Sequence, residues 1–118
     1  MPHKRLKNYL LTCRKRSGLS QRDLAFLFGC KSGAKVTRYE RFVRNPNLRT
    51  ALAYEAIFGT AVRELFAGAY SEVEAETRKR AAELSRKLQA EKPDRLTKRK
   101  LEFLRMIIVA RDIASENK

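Results

Sequence analysis

Gly18-Leu19-Ser20-Gln21-Arg22-Asp23-Leu24-Ala25-Phe26-Leu27-Phe28-Gly29, followed by Val36-Thr37-Arg38-Tyr39-Glu40-Arg41, decides the fold. Ser20 and Asp23 have the S-x-x-D spacing of a capping box, in which the serine oxygen accepts an otherwise unpartnered backbone N–H. Leu24, Leu27 and Phe28 make the buried stripe at helical spacing, and Gly29 stops the helix after two to three turns. Cys30-Lys31-Ser32-Gly33 reads as a short turn. A second short helix follows over about residues 34–42. Val36 and Tyr39, three apart, face inward, so Lys35, Thr37 and Arg38 point outward. Two short helices joined by such a turn form the helix-turn-helix unit. In nucleic-acid binders the second helix lies in the major groove and the first crosses the backbone.

Working outward, helix formers dominate and no strand-like alternation stands out. A first helix is expected over about residues 4–16, with Leu6, Tyr9, Leu10 and Cys13 on one face, stopped at Ser17-Gly18. Beyond the basic loop Arg41–Asn47, a fourth helix spans Leu48 to Phe58, with Leu48, Leu52, Ile57 and alanines inside. Gly59 ends it, and Thr60 caps a fifth helix carrying Val62, Leu65 and Phe66. From Ala69 to Lys92 the composition turns to Glu, Lys, Arg and Ala. Tyr70, Val73, Thr77, Ala81, Leu84 and Leu88 step by three or four there, a heptad-like stripe. Pro93 breaks it, and Asp94 caps a last helix ending near Ser115, with Leu101, Leu104, Ile107 and Ile108 as its apolar face. The expected fold is all-α, with residues 1–69 as one domain and residues 70–118 as a helical extension. The long stripe cannot be buried by its own helix. Either the last helix folds back over it or a second protomer covers it, and dimerisation is the favoured reading.

The chain has 118 residues, with 27 Lys plus Arg against 13 Asp plus Glu, a net charge of +14. Residues 1–69 carry 14 basic and 4 acidic groups, a net of +10; residues 70–118 carry 13 and 9, a net of +4. A polyanionic partner is implied, since each neutralised phosphate releases condensed counterions. The excess in the first part puts the binding surface there.

The quoted residues, with Asn45-Pro46, resemble the Cro/CI-like helix-turn-helix family, also called xenobiotic-response-element or lambda-repressor-like. The family pattern reads G-L-S-Q-x-x-L-A, a turn, an I-S-x-[WY]-E run and a basic segment ending in proline. The resemblance covers residues 5–66 and implies a five-helix DNA-binding domain, here followed by a long helix and a C-terminal helix. It implies base reading by Gly33, Ala34, Lys35, Thr37 and Arg38, where Lys and Arg suit guanine O6 and N7 and threonine suits a base edge or a thymine methyl. It implies phosphate contacts by Gln21, Arg41, Arg44 and Asn47, with Lys31 and Ser32 beside the positive end of the second helix of the pair. Gln21 would also buttress that helix, and Arg14 with Glu40 would form a structural salt bridge. The chain departs from the pattern by an apparent insertion at Lys31. Gly33 and Ala34 also stand where polar base readers are common, which shifts the burden to Lys35, Thr37 and Arg38.

The implied function is a sequence-specific regulator of transcription, a repressor acting as a dimer on a (pseudo)palindromic double-stranded DNA operator. The alternative is an antitoxin or adaptor whose C-terminal helices bind a partner protein. Few exposed aromatics argue against a single-stranded RNA binder. No catalytic arrangement, nucleotide-binding loop or metal-ligand set is present, so no enzyme, cofactor or metal is expected. Cys13 and Cys30 read as buried thiols in a reducing cytoplasm. No apolar run approaches the roughly 20 residues that span a bilayer. Tyr39 reads as core. Arg14-Lys15-Arg16, Arg78-Lys79-Arg80 and Lys98-Arg99-Lys100 read as solvated surface, and Lys4, Arg5 and Lys7 as either an N-terminal arm or a solvated start.

Overall fold

A computed structural model describes residues 6–116, with side chains to Val109. Lys4 and Arg5 of the expected arm, and His3, lie outside the described residues. The described residues form seven helices and no strand: α1 (Leu10–Ser17), α2 (Gln21–Leu27), α3 (Ala34–Glu40), α4 (Leu48–Phe58), α5 (Val62–Leu65), α6 (Ala67–Gln89) and α7 (Arg95–Glu116). They fall into two compact units, Met1–Ser71 and Glu72–Lys118.

The first unit closes around Leu10, Leu24, Val36, Tyr39, Ala51, Tyr54, Leu65 and Phe66. Tyr54 is fully buried, and the rings of Phe28, Tyr39, Phe58 and Phe66 surround it at centroid distances of 4.8–6.4 Å. That burial pushes the Tyr54 phenol far above its ordinary range, since a charged oxygen there would lose its water. Both ends of α2 follow local chemistry. Ser20 accepts from the Asp23 N–H and Asp23 accepts from the Ser20 N–H, at 3.0 and 2.9 Å. Gly29, with φ of 76°, follows the last turn.

Five expectations are corrected. Leu27 is exposed rather than buried, because α2 turns Leu24 and Ala25 to the core. Residues 6–9 are not helical. Their backbone pairs with the end of the unit instead: the Tyr9 N–H donates to Leu65 O, and the N–H groups of Gly68 and Ala69 donate to Leu6 O and Lys7 O. Leu6 is therefore exposed, and the Asn8 side chain takes over the helix start by accepting from the Leu10 N–H. Leu48 and Leu52 are exposed rather than inside, because α4 turns Ala51 and Tyr54 to the core. Thr60 does not cap α5. The Val62 N–H donates to Glu55, reaching across from α4. Cys13 and Cys30 are half-buried free thiols rather than fully buried ones.

In the second unit α7 runs back along α6. Leu84 and Leu88 line one groove with Phe103 and Leu104, while Ala75 and Ala82 lie near Ile108. This antiparallel pairing is the fold-back alternative. It buries Ala81 and Leu88 and half-buries Leu101, Leu104, Ile107 and Ile108. Val73, Leu84, Leu96, Phe103 and Met106 stay exposed, so the stripe expected on α6 is only partly covered. Asp94 caps α7 through the Thr97 N–H at 2.7 Å.

Candidate nucleic-acid interface

α3 is held from beneath by two anchors and a polar chain. Val36 and Tyr39 enter the core. Arg14 of α1 donates to Glu40 through Nε at 2.6 Å, and its second nitrogen donates to the other carboxylate oxygen at 3.2 Å. Glu40 is buried, and its hydrogen bonds hold the Arg14 guanidinium above its ordinary pKa. The Gln21 amide donates to Glu40 at 2.9 Å, and the Gln21 oxygen accepts from the Thr37 hydroxyl at 2.8 Å. The Asn8 amide donates to Tyr39 O. α1, α2 and the chain start therefore all grip α3, which fixes the direction of its outer face. Breaking such a buried pair on one side costs about 3–5 kcal/mol, because the partner charge stays buried.

Of the predicted base readers, Ala34, Lys35 and Arg38 are exposed on the outer face. Thr37 is half-buried, and its hydroxyl is occupied by Gln21, with the Gly33 carbonyl at 3.2 Å. Gly33 faces α2: a Cβ there would sit 3.1 Å from the Gln21 Cβ, so the absent side chain permits close approach of the two helices. Of the predicted phosphate ligands, Lys31, Ser32, Arg41, Arg44 and Asn47 are exposed, and Gln21 is half-buried in the polar chain. Ser32, Lys35 and Asn47 share the rim of one small cleft of about 60 Å³. Asn47 also caps α4, accepting from the Thr50 N–H at 2.9 Å.

Two residues escaped the sequence reading. Asn8 gives no motif for its buried bond to Tyr39 O, which lies on another helix. Phe42 follows α3 with φ of 64° and carries no turn signal in its side chain type. Among the described residues no group of His, Cys, Asp or Glu is arranged to hold a metal ion. No described helix is long and apolar enough to cross a membrane.

Residues 10–65 match the family model described as Helix-turn-helix. No curated protein and no solved structure matches the chain. The matched segment takes in α1 to α5 and contains the α2–turn–α3 unit whose outer face has just been described. Domains of this family are DNA-binding units of transcription regulators.

Proposed function

We propose, from the place of residues 10–65 in the Cro/CI-like helix-turn-helix family, that the chain is a cytoplasmic transcriptional repressor that binds a (pseudo)palindromic operator as a homodimer. The observation that carries this reading is the two-sidedness of α3. Its inner side is anchored by Val36, Tyr39 and Glu40, and its outer side presents Lys35 and Arg38 to solvent with Ala34.

Lys35 and Arg38 donate to base edges in the major groove. Thr37 contributes its methyl group to a thymine methyl, since Gln21 occupies its hydroxyl. Arg41, Arg44, Lys31, Ser32 and Asn47 hold the flanking phosphates and set the register. Gln21 reaches the backbone from the start of α2 while steadying α3, and Gly33 lets the two helices come close. Repression follows from occupancy of the promoter, with no chemistry on the DNA. The second unit supplies the dimer contact. Its exposed Leu96, Phe103 and Met106 recur on one side of α7 at spacings of seven and three, a seam suited to a second copy. Two half-sites held together raise affinity through effective concentration.

Selection of bound sites from random duplex DNA tests all of this. The expected motif is two inverted half-sites about 10 base pairs apart, centre to centre. Arg38→Ala should cost roughly 1–3 kcal/mol on that motif and relax its sequence preference. Arg44→Ala should weaken all sequences alike and lower the salt slope by about one. An asymmetric single half-site would reject the dimer. Failure to enrich any duplex motif would reject the regulator.

A further inference from the structure

Four described residues have positive φ: Gly18, Gly29, Gly59 and Phe42. At the three glycines a Cβ would meet nothing within 4 Å, so glycine is there for its backbone freedom alone. Phe42 is the exception. It occupies the left-handed position of a Schellman motif that closes α3: the Phe42 N–H donates to Tyr39 O at 3.2 Å, and the Val43 N–H donates to Arg38 O at 2.9 Å. Glycine is the usual residue there, and a bulky side chain in that conformation is strained.

Phe42 is not one of the residues that form the core cluster of the first unit. It is 40% exposed, and the neighbouring Val43 is 72% exposed. Both stand between the exposed Arg41 and Arg44. Backbone strain at a residue other than glycine clusters at functional positions. A surface of two apolar side chains bracketed by two cations matches a ligand that alternates anionic groups with apolar ones. The sugar–phosphate backbone of DNA has that alternation, with deoxyribose C–H surface between successive phosphates.

We propose that Phe42, assisted by Val43, packs on deoxyribose between the phosphates held by Arg41 and Arg44, as an affinity determinant retained at the expense of backbone strain. The proposal rests on α3 being the groove-reading helix and adds a contact that carries no charge.

The test compares the full-length chain with Phe42→Gly, Phe42→Asn and Phe42→Leu, measuring thermal unfolding and duplex affinity over a salt series on the selected operator. Gly and Asn both accept the left-handed conformation. Their variants should melt at or above the wild-type temperature yet bind about three- to tenfold more weakly, the effect of about 30–55 Å² of lost apolar contact. The slope of log affinity against log salt should not change, because no phosphate contact is lost. Phe42→Leu should bind between the two extremes. Unchanged affinity in the Gly and Asn variants overturns the proposal. So does a lower melting temperature in both, which would make Phe42 a packing residue, or a shallower salt slope, which would mean the arginines had moved. A wild-type chain that binds no duplex rejects the DNA-binding reading itself, and the inference with it.

Discussion

Gly68 shows how one missing side chain fixes a path. It sits in the first turn of α6, where alanine would be favoured over glycine by about 1 kcal/mol on helix propensity. A Cβ there would land on the backbone of Leu6 and Lys7, with the Leu6 carbonyl carbon 2.7 Å away and the Lys7 Cα 2.8 Å away. Backbone held by its own hydrogen bonds does not give way as a flexible side chain does, so the clash outweighs the propensity. Gly68→Ala should destabilise the first unit by about 2–3 kcal/mol, read from denaturant unfolding. An unchanged midpoint would mean the chain start does not rest where it is described. At this scale the sequence was legible where chemistry is self-evident: Lys35 and Arg38 are cations opposite Val36 and Tyr39 on a short helix, and they are exposed. It was not legible where two side chains choose each other. The pairing of Thr37 with Gln21 depends on the crossing of α2 and α3, and Phe42 has no local signal for its left-handed backbone.

Elements are set by their ends. The start of α2 could be read to the residue because Ser20 and Asp23 cap it locally, but its buried side could not, since Ala25 and not Leu27 joins Leu24 in the core. α5 could not, because its cap is Glu55, seven residues before Val62 on another helix. α4 was bounded correctly but turned wrongly: two leucines outweighed Ala51 and Tyr54 in a reading by hydrophobicity, whereas the core admits the tyrosine ring and leaves Leu48 72% exposed. The caps also give a pH signature. The hydrogen bond from the Thr97 backbone N–H holds the Asp94 carboxyl below its ordinary value, and the Ser20 backbone N–H does the same for Asp23. A folded-state pKa below the unfolded one gives stabilisation that is complete above the ordinary carboxylate value, about 4, and vanishes as pH falls through the folded value. Helicity followed against denaturant at several pH values should therefore show stability lost on acidification below about pH 4. Asp94→Asn keeps an acceptor oxygen without the titration, so that variant should stay folded at neutral pH with a shallower acid slope. A slope equal to wild type would remove Asp94 from the account.

For the whole molecule, the charge is concentrated in the unit that carries the proposed interface. The first unit carries the net +10 and the outer face of α3, while the second carries a net of +4 and keeps an apolar face on α7. Fold-back of the last helix was one of two readings of the C-terminal stripe, and it left the exposed seam on α7 unexplained by intramolecular packing. Sequence periodicity identifies an apolar stripe but not which neighbour takes it, since both neighbours bury the same residues.

Leu6 to Tyr9 and Leu65 to Ala69 lace the two ends of the first unit together, and this governs where the unit may be cut. A fragment trimmed to the recognised motif, residues 10–65, would discard the Asn8 prop under α3, the hydrogen bonds of Tyr9, Gly68 and Ala69, and the buried ring of Phe66. It should show broad, weakly cooperative melting, whereas residues 6–71 should melt sharply. On that expectation, borders drawn from motif similarity alone fall inside the piece that melts cooperatively, because the hydrogen bonds that close these helices come from backbone just outside the motif.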